Sequence, residues 1–264
     1  MEQDLPIELI GARGTFSLEW VEKEQAFDVW QAHVAAFPST GLWPMLTSPN
    51  VVLNPPELEE GEAATPSEVS ADADEVDVEQ FFAARKEELE LVDEDDEVAE
   101  GYAEAWGDFD AAELPEAEEL DLQSALLHDF EDEDEDDEDE DDEEEAEDEE
   151  EEFGQVAIVL VPVKNPTDVF TQLTFGDWND CPGDAEITAV LRRWNAGYGA
   201  VPFSFTSDAI ELFLTKPVMD ANDAKTLAFE QAYFASDVVD QGTETVANLA
   251  ESLLGNPIWF FWWD

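Results

Sequence analysis

The sequence closes with Pro257-Ile258-Trp259-Phe260-Phe261-Trp262-Trp263-Asp264, a stretch that holds three Trp and two Phe within seven residues. Odd and even positions are equally apolar, whereas a strand with one face in solvent alternates apolar and polar residues. A short run that is apolar on both faces and is opened by a proline is typical of a strand buried on both sides. We therefore predict that this stretch is the closing strand of a core around which the preceding domain folds.

Residues 153–264 carry strand and helix patterns in the order β-α-α-β-β-α-α-β. The β-branched run Val156–Val163 predicts a central strand, and the runs 201–206 and 209–214 predict a hairpin. Helical spacing and end signals predict helices over residues 165–173, 184–196, 221–234 and 243–254. This order predicts an α/β, or mixed α+β, domain in which helices pack on a small sheet.

Residues 1–54 predict a β-α-β-like segment. Residues 7–12 read as a strand, residues 22–37 as a helix, and residues 42–46 as an extended segment. The apolar face of the helix is formed by residues at spacings of three and four: Phe27, Trp30, Val34 and Phe37. A segment of this length buries too little surface to be stable alone, so we expect it to pack on the main domain.

Residues 55–152 predict an acidic and largely disordered linker, because Pro, Ala, Glu, Asp and Ser dominate and bulky apolar residues are sparse. Within it, residues 78–92 and 120–130 have the spacing of amphipathic helices. Tyr102, Trp106 and Phe109 lie between them, among acids. Two interpretations stay open. In the first, these residues are acidic-aromatic segments that fold on a partner. In the second, they belong to a solvated linker in which the aromatic residues are incidental.

The net charge of −62 is concentrated upstream of the C-terminal domain. All residues from Glu131 to Glu152 except Ala146 are Asp or Glu, whereas residues 153–264 carry 15 acids against 5 bases. This balance argues against direct binding to nucleic acid or to an anionic membrane and favours a basic protein partner. A salt-adapted proteome is another explanation of the acids, but it predicts the excess throughout the chain, including the C-terminal domain.

The single cysteine, Cys181, excludes an intramolecular disulfide and a cysteine-based zinc site. The first residues have neither the basic nor the apolar region of a signal peptide, and the apolar run 156–163 is too short to span a bilayer. We therefore expect a cytoplasmic protein. No phosphate-binding glycine loop, Ser-His-Asp set or zinc motif is present, so no cofactor and no metal are expected.

Several blocks of the C-terminal domain resemble a bacterial family called domain of unknown function 4253. The blocks are Phe175-Gly176-Asp177-Trp178-Asn179-Asp180-Cys181-Pro182, Arg192-Arg193-Trp194, Tyr198-Gly199-Ala200, Asp237-Val238-Val239-Asp240-Gln241-Gly242 and the terminal Trp259-Phe260-Phe261-Trp262-Trp263-Asp264. The resemblance covers about residues 155–264 and extends weakly to Thr40–Pro44. It implies no activity, substrate or catalytic residue. Some members carry Cys-Pro where this chain has Ala235-Ser236, which weakens a paired-thiol role for Cys181.

A candidate pocket combines the loop 177–182 with the turn 237–242. Its predicted members are Trp178, Asn179, Asp180, Cys181, Arg192, Trp194, Tyr198, Asp237, Asp240, Gln241 and Asp264. No catalytic residue is assigned, because a Cys181 nucleophile needs a base and the only histidines are His33 and His128.

Structural roles compete with chemical ones at each of these positions. Asp177, Asp180, Asp237 and Asp240 have the oxygen ligands of a hard-cation site. In the competing interpretation, Asp177 and Asp180 turn the chain and cap the next helix while Cys181 packs as a small apolar residue. Asp237 and Asp240 then serve as N-caps of the helix at 243–254. Arg192 and Arg193 either pair with acids and aromatic rings inside the fold or bind an anion.

Two functions follow from these observations. The leading hypothesis is a non-enzymatic interaction module of a cytoplasmic bacterial protein. Its acidic linker, residues 55–152 and hereafter the insertion, engages a basic partner, as an immunity protein, an inhibitor or a nucleic-acid mimic would. The alternative is a small-ligand-binding or hydrolase-like protein whose polar pocket is formed by the loop 177–182 and the turn 237–242.

Overall fold

The computed structural model describes residues 13–14, 16–53, 64–91, 105–127, 154–176 and 179–264. Within these ranges, six strands form one mixed sheet in the order β1-β3-β2-β4-β5-β6. They are β1 (Ser17–Glu22), β2 (Leu42–Thr47), β3 (Gln155–Pro162), β4 (Ala200–Phe205), β5 (Ala209–Leu214) and β6 (Ile258–Trp262). β2 and β4 are parallel, and the other neighbours are antiparallel. The predicted mixed α+β class is confirmed.

The helices pack on both faces of this sheet. They are α1 (Lys23–Thr40), α2 (Pro49–Leu53), α3 (Pro66–Glu75), α4 (Val78–Leu91), α5 (Val169–Gln172), α6 (Asp184–Tyr198), α7 (Ala221–Phe234) and α8 (Val246–Leu253). Short 3-10 helices span Ala111–Glu113 and Pro166–Asp168, and a π-helix spans Val238–Thr243. Across the described ranges, none of these helices is both long enough and apolar enough to cross a bilayer.

Two aromatic clusters mark the two faces. On one face, Trp30 of α1 packs edge-on against Phe203 and Phe213, with ring centroids 4.9 and 5.3 Å apart. On the other face, Trp194 of α6 stacks on Phe261 at 5.3 Å and meets Trp259 edge-on at 5.7 Å. The sheet is therefore the middle of three layers, with a core on each side of it.

The terminal strand is buried less symmetrically than predicted. β6 pairs only with β5 and forms one edge of the sheet. Trp259, Phe261 and Trp263 are buried, whereas Phe260 is 38% exposed and Trp262 is half-buried. Ile258, on the same face as these two residues, is buried, so the prediction of burial on both sides is wrong for Phe260 and Trp262 at this sheet edge.

The N-terminal segment joins the same sheet. β1 pairs with β3, and β2 lies between β3 and β4, so the first 47 residues contribute two of the six strands. The predicted helix at 22–37 corresponds to α1, which runs on to Thr40 and ends at Gly41 in the left-handed conformation. The strand at 17–22 was not predicted, and the strand predicted at 7–12 lies outside the described residues.

Part of the segment predicted as a disordered linker is folded onto the main domain. α3 packs against α6, and α4 packs against α6 and α7. Residues 105–127 follow the surface in mostly irregular conformation, so the helix predicted at 120–130 is wrong for residues 120–127. The backbone of Glu118 comes so close to Gly255 that a Cβ there would lie 1.5 Å from the Glu118 carbonyl oxygen. Residues 54–63, 92–104 and 128–153 lie outside the description.

Candidate functional site

Four predicted pocket residues meet beside the end of β6. The Asn179 Nδ2 donates to the main-chain oxygen of Asp264 at 2.8 Å, and the Asp264 N–H donates to Asp237 Oδ2 at 2.9 Å. Gln241 Nε2 donates to the other oxygen of Asp237 at 3.3 Å. The loop after residue 176 and the turn after α7 are therefore joined through the last residue of the sequence.

The π-helix positions these groups. Its wide turn follows α7 and carries Asp240 and Gln241, while Gly242 faces the ring of Trp262. A Cβ at Gly242 would lie 3.3 Å from that ring, so a larger residue would push the turn away from β6. Close approach of the backbone to Trp262 thus explains the glycine in Asp-Gln-Gly.

Asp240 is the most perturbed carboxylate of this cluster. Asp240 is exposed as a whole residue, but its Oδ1 accepts a hydrogen bond of 3.0 Å from the indole N–H of the buried Trp106. Partial desolvation of its carboxyl group raises the pKa of Asp240, the nearby charge of Asp237 raises it further, and the Trp106 hydrogen bond opposes both. Trp106 belongs to the segment predicted as linker, so the insertion covers part of the candidate site.

The aspartates do not cap α8, contrary to one interpretation of the sequence. Thr245 is the N-cap residue, and its hydroxyl accepts from the Asn248 N–H at 3.0 Å. The helix begins at Val246 rather than Thr243 because the π-helix occupies the preceding residues. Asp237 instead accepts from the Asp264 N–H, and Asp240 accepts from the Trp106 indole.

The loop 177–182 contributes less polar chemistry than predicted. Cys181 is buried, and the backbone oxygen of Asp180 accepts from Arg85 Nη2 at 2.9 Å. Trp178 and Asp177 lie outside the described residues. His33 is 2.9 Å from Glu19 on the N-terminal segment, so its ring pairs with that carboxylate. His128 also lies outside the description.

The described residues contain no group of three or more His, Cys, Asp or Glu side chains that could hold a metal ion. Two of the four proposed hard-cation ligands, Asp237 and Asp240, lie near each other. Their oxygens already accept protein hydrogen bonds from Gln241, Asp264 and Trp106.

Arg192 and Arg193 lie apart from this cluster, on α6, and acids of the insertion bind both. Arg192 binds Asp168 at 2.9 Å and Asp74 of α3 at 2.8 Å. Arg193 binds Glu230 at 2.5 Å and Glu79 of α4 at 2.6 Å. The hydrogen bond to Glu230 raises the pKa of Arg193. These contacts agree with the interpretation in which the two arginines pair with acids inside the fold.

Trp194 and Tyr198 fill two further places. Trp194 is fully buried and donates to Glu230 at 2.8 Å. Tyr198 lines a surface cavity of about 370 Å³, together with Asn195, Thr215, Lys216, Met219 and Asp223 among others. Burial raises the pKa of Tyr198. The predicted pocket members are thus distributed over three locations.

Glu211 is a buried carboxylate that the sequence analysis did not single out. It lies on β5, is 2% exposed, and accepts hydrogen bonds from the hydroxyls of Ser204 and Ser124 and from the Ala125 N–H. No cation in the described ranges pairs with it. Ser124 and Ala125 belong to the insertion, 87 and 86 positions away in sequence, so no local pattern could reveal the contact.

Glu211→Gln is expected to remove a pH-dependent loss of stability. Burial raises the pKa of Glu211, so the folded protein binds this proton more tightly than the unfolded chain. The stabilisation that comes from protonation of Glu211 is complete below the ordinary pKa of 4.5, and it is lost as pH rises through the pKa of Glu211 in the folded protein. In that window the unfolding free energy of the wild type should fall relative to the variant by up to about 1.4 kcal/mol per pH unit.

Urea unfolding between about pH 4 and 8 measures this difference. The matched control is Glu251→Gln, which changes an exposed glutamate of α8. Stability profiles of wild type and Glu211→Gln that run parallel over the whole range would contradict the prediction.

The geometry defines a three-layer mixed α+β domain with a polar cluster at the end of its terminal edge strand. Residues 157–264 match the family model of DUF4253, a domain of unknown function. The predicted resemblance of about residues 155–264 to this family is thereby confirmed. Neither the curated proteins nor the solved structures contain a match to the chain.

Proposed function

We propose that the protein is a non-enzymatic interaction module that engages a basic protein surface through the acidic run Glu131–Glu152. The observation that carries this proposal is the run itself, in which 21 of 22 residues are acidic. Such a density of like charge attracts a cationic surface over roughly one Debye length, about 8 Å at physiological salt.

The contacts of the domain support an external rather than an internal partner. Its arginines are already engaged: Arg13 binds Asp184, Arg192 binds Asp168, and Arg193 binds Glu230. The acidic run is therefore not required to neutralise these cations. It is also connected at both ends to packed elements, since Ala125 binds Glu211 and Gln155 begins β3.

A replacement of residues 131–152 by a Gly/Ser segment of equal length tests the proposal. Affinity capture from a lysate at about 0.1 M salt should recover basic proteins with the wild type and lose them with the replacement. Binding of the recovered partner, measured by calorimetry, should weaken steeply with added salt, because the attraction is between exposed charges. Identical sets of captured proteins, or affinity that salt leaves unchanged, would count against the proposal.

The alternative, a small-ligand-binding protein or hydrolase, has weaker support. The polar groups of the loop 177–182 and the turn 237–242 largely bind each other, as the contacts of Asn179, Asp237 and Asp264 illustrate. A catalytic site instead needs polar groups that converge on a space where a substrate can lie. We therefore favour the interaction module.

A further inference from the structure

One face of α7 carries three side chains at a spacing of four: Lys225, Phe229 and Tyr233. Residues spaced by four follow one stripe along a helix, rising about 6 Å per step. Asp240 lies beyond Tyr233, where Trp106 binds both residues. We name this surface, formed by Lys225, Phe229, Tyr233 and Asp240, the α7 stripe.

The tetrapeptide Trp106-Gly107-Asp108-Phe109 lies along the α7 stripe, and each of its three non-glycine residues makes at least one side-chain contact with it. Trp106 stacks on Tyr233 with centroids 6.2 Å apart, and its indole donates to Asp240. Asp108 pairs with Lys225 at 2.6 Å. Phe109 stacks on Phe229 at 6.1 Å.

Lys225 makes two further contacts with the tetrapeptide. Its ammonium group lies 5.0 Å from the centre of the Phe109 ring and donates to the Phe109 carbonyl oxygen. A cation that contacts an acid, a ring and a carbonyl at once selects a carboxylate next to an aromatic residue. Lys225 and Tyr233 are eight positions apart, which is about 12 Å along the helix, and three residues of fully extended chain span about 10 Å. The tetrapeptide is therefore long enough to contact all three helical residues of the stripe.

The contact has the composition of a linear-motif interface rather than of a domain core. Trp106 is buried at one end, a charge-assisted pair lies at the other, and the tetrapeptide adds no strand to the sheet. Aromatic anchors next to charged residues are typical of peptide recognition on a helical surface.

We propose that the α7 stripe is a binding surface for short acidic-aromatic peptides of the type Trp-x-Asp-Phe, and that Trp106–Phe109 occupies it in cis. A partner that presents such a segment competes with the tethered one. Tethering gives the cis segment an effective concentration of the order of millimolar, so binding in trans requires either a tighter peptide or release of the cis segment. This inference is independent of the proposed role of residues 131–152.

The test uses the full-length chain and a fluorescein-labelled synthetic peptide of residues 102–114. In the double variant Trp106→Ala/Phe109→Ala the cis anchors are absent, so the peptide should bind at least about tenfold more tightly than it binds the wild type. Adding Lys225→Glu to that variant should abolish binding, and a peptide carrying Asp108→Lys should not bind. Equal binding to wild type and double variant, or no binding to a double variant that retains its circular dichroism, would overturn the proposal.

A second measurement removes the dependence on a folded double variant. In the wild type labelled with ¹⁵N-tryptophan, the indole resonance of Trp106 should shift as unlabelled peptide displaces the cis segment. The peptide carrying Asp108→Lys is the matched control and should leave the resonance unchanged. An unchanged spectrum with the native peptide up to several times the effective concentration of the tether, about 10 mM, would overturn the proposal.

Discussion

A chain that lacks Trp259–Asp264 is expected to show no cooperative unfolding transition. The deletion removes β6 and with it three buried rings, those of Trp259, Phe261 and Trp263. Loss of one buried aromatic side chain costs about 3–5 kcal/mol, so the three together cost about 9–15 kcal/mol. That sum is comparable with the entire stability of a typical domain, about 5–15 kcal/mol. Thermal circular dichroism measures the transition.

A matched pair of substitutions tests whether the loss of stability depends on burial of the ring or only on its position in β6. Phe260 and Phe261 are adjacent on β6, but Phe260 is 38% exposed whereas Phe261 is fully buried. Phe261→Ala should cost about 3–5 kcal/mol, and Phe260→Ala should cost about 1 kcal/mol or less. Equal effects of the two substitutions, or a soluble truncated chain with a sharp transition, would show that the strand is not part of the core.

Elements with a strong local pattern were predicted well. Helix α7 was predicted over residues 221–234 and observed over Ala221–Phe234, because its apolar spacing and its Asp220 cap agree. The hairpin of β4 and β5 and the interior strand β3 follow equally from runs of apolar residues. These patterns depend on neighbours within one or two turns of chain, which the sequence displays directly.

The contacts that assemble the insertion on the domain were not predictable in the same way. Trp106 and Asp240 are separated by 134 positions, and Arg192 and Asp74 by 118. In composition the insertion resembles a disordered segment, because its aromatic anchors are few and widely spaced. Residues 64–91 and 105–127 pack on the domain because their aromatic and acidic side chains contact rings and cations on α6 and α7.

The candidate site was predicted in part for a related reason. Asn179, Asp237, Gln241 and Asp264 meet because the ends of a loop, a turn and a strand converge at one corner of the sheet. Arg192 and Tyr198 are excluded from that corner because α6 directs them towards the insertion and towards a separate cavity. Residue type identified the polar positions, but only the topology decides which of them share a location.

Asp184→Ala is expected to lower the free energy of unfolding by about 3–5 kcal/mol, the cost of breaking a buried ion pair from one side. Asp184 Oδ2 binds Arg13 Nη2 at 2.7 Å, and both side chains are at most 10% exposed. The other oxygen accepts the backbone N–H groups of Phe175 and Gly176 at 2.9 and 3.2 Å. Arg13 also donates to the carbonyl of Ala64, so one carboxylate secures the N-terminal segment, the insertion and the start of α6 together. Chemical denaturation followed by circular dichroism measures the loss.

Asp74→Ala is the matched control, because it also removes a carboxylate that binds an arginine at 2.8 Å, but Asp74 is 75% exposed. An exposed pair contributes about 0–1 kcal/mol, so the control should be close to the wild type. Asp184→Asn keeps an oxygen for Phe175 and Gly176 and removes only the charge, and it should fall between the two. Arg192 keeps its ion pair with Asp168 in the control, so the difference between Asp184→Ala and Asp74→Ala reports the burial of the Arg13–Asp184 pair together with the partner that remains to Arg192. Equal losses in the two alanine variants would mean that water reaches Arg13 and that this carboxylate does not join the three segments.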